Sequence, residues 1–491
     1  MATSVTETER KYEAPSDASL PDLTSITGVA TGPEEFDLEA TYFDTDDYRL
    51  ARAGVTLRRR VGGDDEGWHL KLPADQADSR QEVRAPLGRA VKQPPKDLSS
   101  LVRAHTRGSG LGPIAEIRTN RRRWQLTNGN GELLAEVVDD VVTAQTMGSS
   151  TTTTSWREIE VELGSAGDRK LLDTVERHLG TAGIHPSASK SKLSQVIGVK
   201  RDAIPAIGKK STAGDVVLAY LYEQRAALQN QDPRVRRNSD DAIHQMRVAT
   251  RRMRSALQAF GKVIDREATR TLTDELKWLA TVLGTSRDLE VLRMRFEDAL
   301  HSLPPELVLG DVAARMTRHF APLEAKAHKD SVAALDNRRY FALLNSIDSL
   351  LATPPLTSLA SGKAKDVLPR LVEKARHRLD VRVEAALGAR DSDEPLHEAR
   401  KAAKRLRYSA EVAEPALGKH ATHLRKRAKD VQTLLGEHQD SVVARPVLLD
   451  LGRGDENGFT FGLLYGKEVE LAHKTEAELP TLWNKLSKEH L

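Results

Sequence analysis

The chain has 491 residues, 74 of them basic and 71 acidic, a net charge of +3 and no cysteine. That length exceeds one ordinary hydrophobic core, so two or three domains are expected. The lack of cysteine excludes disulfides, thiolate metal sites and cysteine nucleophiles, and the balanced charge means that any attraction to a polyanion must come from local geometry.

The segment from Met1 to Lys11 carries acidic residues and no apolar stretch of signal type, and no run of about 18 apolar residues occurs anywhere. A soluble, unprocessed, cytoplasmic chain is the expectation. Up to residue 200, short alternating segments between Gly, Pro and Asp-rich turns predict strands over Val5–Tyr12, Ala40–Asp44, Val55–Val61, Gly67–Leu72, Arg80–Leu87, Ile114–Leu126, Leu133–Thr143 and Ser155–Leu163. About eight strands at this spacing suggest an antiparallel barrel or sandwich. Helices are expected over Lys96–Arg107 and Asp168–Gly180. A linker with Pro205 and Gly208 follows, over residues 201–214. Long Ala/Leu/Arg/Glu-rich helices then take over, as in Asp215–Gln229, Ala242–Lys262 and Asp366–Gly388, with Asp215 and Asp366 suited to the N-cap or first turn.

Alternation places like residues on one face of each strand. It groups Glu7, Glu9 and Lys11; Arg58 and Arg60; His69 and Lys71; Arg80, Glu82 and Arg84; Arg121 and Arg123; Glu136 and Asp140; and Glu158, Glu160 and Glu162. Such a face can simply be solvated. Seven strands of this kind point instead to carboxylates that hold a hard cation, Mg²⁺ or Mn²⁺, beside cations that hold phosphate oxygens. Those are the two requirements of phosphoryl transfer. No P-loop occurs.

The helical half contains a repeat. His244 is followed by Arg247, Arg251, Arg252 and Arg254, and His397 by Arg400, Lys404, Arg405 and Arg407, at matching offsets. Each copy then reaches a Leu-Gly step and an aspartate, Leu283-Gly284 with Asp288 and Leu435-Gly436 with Asp440, and Lys277 and Lys429 also correspond. At about 100° per residue each set forms one basic helical face roughly 15 Å long. Like charges at this spacing repel, so the duplication points to a polyanionic partner. Val248, Leu257 and Phe260, and Ala403, Leu406 and Val412, supply an apolar stripe beside the cations. The two histidines either add charge as pH falls toward about 6 or only orient the helices.

The run Glu7-Thr8-Glu9-Arg10-Lys11 resembles the ExExK signature of the CYTH, or triphosphate tunnel metalloenzyme, family. Tyr42-Phe43-Asp44-Thr45, Leu57 to Arg60, Arg80-Gln81-Glu82, Glu136 to Asp140, Glu158 to Glu162 and Ser191-Lys192 follow in that family's order. The repeat resembles the CHAD domain, a helical module associated with inorganic polyphosphate, over about residues 215–491 with copies near 215–335 and 366–491. The resemblance implies an α+β domain over residues 1–200, an eight-stranded antiparallel tunnel with flanking helices, followed by an all-α helical bundle.

Carried over by position, Glu7, Glu9, Glu158, Glu160 and Glu162 would hold metal. Lys11, Arg58, Arg60, Lys71, Arg118, Arg121, Arg123 and Lys192 would grip the triphosphate, although Arg118 is out of phase with Arg121 and Arg123. Glu82, Glu136 and Asp140 would orient those cations or a water. The implied activity is hydrolysis of inorganic triphosphate or short polyphosphate, with the helical domain tethered to long chains and association with polyphosphate granules. An adenylyl cyclase and a non-catalytic polyphosphate binder are the alternative readings. With 4% aromatic residues, a nucleic-acid binder lacks stacking platforms.

Overall fold

The computed structural model describes residues 3–489 except 28, 75, 77, 89–91, 149–150, 200–203, 390–392 and 454–457. It divides into two compact units, Met1–Ala203 and Ile204–Leu491.

In the first unit eight strands close into an antiparallel barrel: β1 (Thr3–Glu13), β2 (Val29–Asp44), β3 (Thr56–Val61), β4 (Gly67–Pro73), β5 (Ser79–Ala85), β6 (Gly112–Thr127), β7 (Leu133–Thr146) and β8 (Thr153–Leu163). Their order round the ring is β5-β4-β3-β2-β6-β7-β8-β1, closed by β1 pairing with β5. A two-residue strand, His185–Pro186, adds to β1 outside the ring.

The barrel is inverted with respect to an ordinary core. Its apolar residues face outward beneath helices. Tyr12, Leu126, Val137, Ile159 and Val161 pack under Leu172, Val175 and Leu179 of α1 (Arg169–Gly180), which Asp168 caps by accepting from the Leu171 N–H at 3.0 Å. On the other side, Phe43, Leu57, Trp68, Leu70 and Val83 pack against Leu98, Leu101 and Val102. One end of the bore is closed by Leu193 of α2 (Lys192–Ile197), packed on Tyr42, Ala115, Ile117 and Val142.

Two expected elements differ. The strand placed at Ala40–Asp44 is the end of a 16-residue strand. Residues 29–39 carry Gly32, Pro33 and acidic residues that hide the alternation, and a register shift between Thr31 and Glu34 absorbs the irregularity. The helix placed at Lys96–Arg107 is instead three short turns, Lys96–Ser99, Ser100–Val102 and Arg103–Thr106.

The second unit is all helical: α3 (Ala213–Arg236), α4 (Ala242–Ala259), α5 (Arg270–His301), α6 (Val312–Leu335), α7 (Arg338–Ala352), α8 (Ala364–Leu387), α9 (Asp393–Leu417), α10 (Lys419–Arg453) and α11 (Phe459–Leu486). Part of the expected linker, 201–203, lies outside the described residues, and the rest gives way to helix at Ala213. Asp215 sits at the third helical position in a reciprocal capping box with Thr212. Asp366 lies in the first turn of α8. The two helices start side by side: the Ala213 N–H donates to the Gly362 carbonyl at 2.8 Å and that of Ala364 to the Ser211 carbonyl at 3.1 Å.

Candidate active site and basic helical face

The inward faces of the barrel strands enclose a cavity of about 360 Å³. Glu7, Glu9, Lys11, Arg58, Arg60, Lys71, Glu82, Arg121, Arg123, Glu136, Glu160, Glu162 and Lys192 all line it. The strand registers explain the convergence: Lys11 lies opposite Glu160, Glu9 opposite Glu162, Glu136 opposite Glu162 and Arg121 opposite Asp140.

Charges of both signs interleave in the bore, with Lys11, Lys71 and Lys192 set against carboxylates. Glu7, Glu9, Glu160 and Glu162 form a carboxylate wall. Burial and then Glu7 push the Glu162 carboxyl up to about 7, with Glu9 and Glu160 adding to the effect against Lys71. Glu162 has no ion-pair partner among the described residues. Burial also opposes ionisation of Glu9, but Lys11 and Lys71 outweigh it and hold that group at about 2. Among the cations, burial and then Arg58 and Arg121 depress the Arg60 guanidinium to about 9. Among the described residues Arg58 has one hydrogen-bond partner, the Tyr42 hydroxyl at 3.4 Å.

Behind these walls a second layer fixes the cations. Asp140, fully buried, accepts from Arg121 Nε at 2.8 Å and Nη2 at 2.6 Å, a bidentate fork. The Lys192 ammonium lies 2.8 Å from Asp140, 2.7 Å from Glu158 and 2.7 Å from Glu160. Oxygens of Asp140, Glu158 and Glu160 lie close enough together to hold a cation, and the ammonium sits among them. Glu158, expected with the metal ligands, lies in this group against Lys192, and it also accepts from Trp156 Nε1 at 2.6 Å. Glu82 is held by His69 at 2.9 Å and by Arg84. Glu136 accepts from Gln125 at 3.2 Å.

Arg118 is a correction. Its side chain is 70% exposed on the outer face, beside Glu116. The strand runs without a register shift from Ala115 to Leu126, so an even-numbered residue cannot share the inner face of Arg121 and Arg123. Conversely, Arg80, Arg84 and Tyr42 line the cavity without having been named for the site. The alternation that placed Glu82 also placed Arg80 and Arg84, so their signal was present.

In the helical unit each Leu-Gly step proves to be an arginine seat. Arg247 lies flat against Gly284 of α5, where a Cβ would meet Nη2 at 3.3 Å, and donates to Asp288 at 2.7 Å. In the second copy Arg400 lies against Gly436 of α10, where a Cβ would stand 3.7 Å from Nε, with Asp440 3.9 Å away. The two copies converge through α4 and α9. Burial and then Arg400, Arg251 and Arg247 press the Lys404 ammonium down to about 7.

Family comparisons agree with both halves: the CYTH domain matches residues 6–196 and the CHAD domain residues 219–449. The chain belongs to both families. A relative over nearly its whole length is the Mycobacterium tuberculosis protein called "Uncharacterized protein Rv2226", 37% identical over 507 residues, covering 98% of this chain and 96% of that one. Among solved structures, PptA from Streptomyces chartreusis is 21% identical, covering 56% of this chain and 100% of that one at a TM-score of 0.47. The CHAD domain from the plant Ricinus communis is 23% identical, covering 58% and 95% at 0.48. The CYTH half has the triphosphate tunnel metalloenzyme fold.

Not every cation of the CHAD repeat joins the shared face. Arg252 turns aside into an ion pair with Glu411 at 2.8 Å. Arg407 donates to Gln432 at 3.2 Å. Arg405, Lys277 and Lys429 are exposed. His397 is hydrogen-bonded to Gln439, and burial followed by Arg287 lowers His244. Leu257, Phe260, Ala403, Leu406 and Val412 are core residues. Among the described residues no helix is long and apolar enough to cross a membrane.

Proposed function

We propose that the CYTH barrel hydrolyses inorganic triphosphate or short polyphosphate with Mg²⁺ or Mn²⁺, and that the CHAD unit binds longer polyphosphate. The crowding of like charge in the bore carries this reading: burial and then Glu7 push the Glu162 carboxyl up to about 7, and burial and then Arg58 and Arg121 bring the Arg60 guanidinium down to about 9. Lys11, Lys71 and Lys192 neutralise part of the carboxylate cluster, and Glu162 is left without an ion-pair partner among the described residues, a charge that a divalent metal would balance. Hard carboxylate oxygens of Glu7, Glu9, Glu160 and Glu162 suit a divalent metal, which when bound withdraws charge from phosphoryl oxygens.

The chain's own part is to bind and orient. Arg58, Arg60 and Arg121, with Lys71, offer donors to equatorial oxygens. Because Asp140 already fixes Arg121, that guanidinium needs no reorganisation as charge develops. Glu82 and Asp140 are committed to holding cations. This leaves Glu136, on the cavity wall, to orient water. The apolar plug at Leu193 excludes solvent from one end of the bore.

Polyphosphate as the partner of the CHAD unit is supported by the convergence of Arg247, Arg251, Arg400 and Lys404. Lys404 is pressed down to about 7 by burial and then by neighbouring cations, whose charge a polyanion would neutralise. The deciding experiment is a screen of tripolyphosphate, ATP, thiamine triphosphate and long-chain polyphosphate with each metal, following phosphate release and cyclic product. Phosphate from tripolyphosphate, lost on chelation, is expected. A cyclic product from ATP would make the barrel a cyclase. Tight polyphosphate binding without turnover would make the protein a binder.

A further inference from the structure

The two CHAD copies are related by an offset of 397 − 244 = 153 residues, and their basic faces end differently. By that offset Arg252 corresponds to Arg405, and Gln258 to Glu411. In one place Arg252 is closed by Glu411, whose carboxylate also accepts from the Tyr220 hydroxyl at 3.1 Å, with Glu223 close by. At the corresponding place Gln258, an amide, shares the lining of one cavity with Arg405.

Around Arg405 lies a cavity of about 230 Å³ between α4, α8 and α9. Gln258, Lys262, Arg266, Lys374, Arg378 and Arg405 line it, together with small and apolar residues and no carboxylate. None of its five cations has an ion-pair partner among the described residues. Such a concentration, drawn from α8, α9 and the turn after α4, is self-repelling and favours an anion among its members.

The cavity also continues the basic face. On α4, positions 244, 247, 251, 254 and 258 fall within an arc of roughly 80°. Lys262 lies in the turn beyond the end of α4. Arg254 is near enough to Arg405 to feel its charge. On α9 the same stripe runs from His397 through Arg400, Lys404 and Arg407 to Glu411 and Pro415, so that branch ends on an acid.

We propose that the α4–α8–α9 cavity is a second anion subsite, which takes phosphoryl oxygens of an inorganic polyphosphate running off the shared basic face. The bound chain then leaves that face by this end only, because Glu411 and Glu223 repel it at the other. The inference rests on the basic face being the polyphosphate site, and the test separates the two.

Long-chain polyphosphate is titrated into the full chain and into three variants: Gln258→Glu, the double variant Lys374→Gln/Arg378→Gln, and Arg251→Gln on the basic face. Gln258→Glu is nearly isosteric, and Lys374 and Arg378 are exposed helix residues, so circular dichroism should match the parent. Both cavity variants should weaken binding by about tenfold, and so should Arg251→Gln. If only Arg251→Gln weakens binding, the face stands and the cavity is no subsite. If only the cavity variants do, the cavity binds polyphosphate by itself, and both the face and the path along it that the proposal requires fall. If none does, both readings fall.

Discussion

Glu162 faces Glu9 across the β1–β8 pairing with no cation of its own, which makes it the cleanest probe of the carboxylate wall. Glu162→Gln removes a repelling charge and breaks no ion pair. In the presence of a chelator the variant should melt above the parent, yet it should hydrolyse no tripolyphosphate and gain no stability from added metal. Turnover at the parental rate would remove Glu162 from the metal site. The arginines give a matched comparison on one strand. Arg121→Ala should lower kcat/KM by about 10²–10³-fold, the cost of losing one preorganised donor, whereas Arg118→Ala should change it less than twofold. Equal losses would contradict the outward placement of Arg118. Lys404 supplies the pH dependence. Its folded-state value lies far below that of a free lysine, so it is charged below about pH 7 and neutral above. Affinity for long polyphosphate should therefore fall between pH 6 and pH 8, and Lys404→Arg, always charged, should flatten that fall. A flat profile in the parent would exclude Lys404 from the contact.

At the level of elements, the glycine of each Leu-Gly step makes a graded prediction. Alanine in a helix interior gains about 1 kcal/mol over glycine. At Gly284 the new methyl would meet Arg247 at 3.3 Å and shift it, whereas at Gly436 the distance to Arg400 is 3.7 Å, ordinary contact. Gly284→Ala should weaken polyphosphate binding several-fold, and Gly436→Ala should raise the melting temperature with binding unchanged. Reversal of that order in a titration would show that the seats do not act through their arginines. The strands show what could be read from the chain and what could not. Period-two alternation was clear wherever one face was uniformly apolar, as in Leu70 and Leu72 or Ile159 and Val161. It failed over residues 29–39, where charge lies on both faces and Gly32-Pro33 breaks the period. In the helical unit, spacing alone put Arg252 with its neighbours, because a sequence gives angles round a helix and not the Glu411 that waits on another one.

For the molecule as a whole, the groups proposed for catalysis all lie in the first compact unit. A fragment of residues 1–203 should hydrolyse tripolyphosphate with the kcat/KM of the full chain and lose affinity for long polyphosphate. An inactive but folded fragment would mean that the helical unit contributes to the site. The ordered motifs made the barrel and its bore legible before any coordinates. The pairing of charges inside it was not, since partners such as Lys192 and Glu158 are set by strand register and by where α2 plugs the barrel. That pairing bears on how ligands enter. Lys11 and Lys71 rest against Glu160, Glu7 and Glu9, so the bore carries its own counter-ions. A metal arriving alone must take carboxylates from ammonium groups and leave those cations unsatisfied, and a triphosphate arriving alone leaves the carboxylates bare. Each ligand relieves what the other strands, and by thermodynamic linkage metal and triphosphate raise each other's affinity by the same factor.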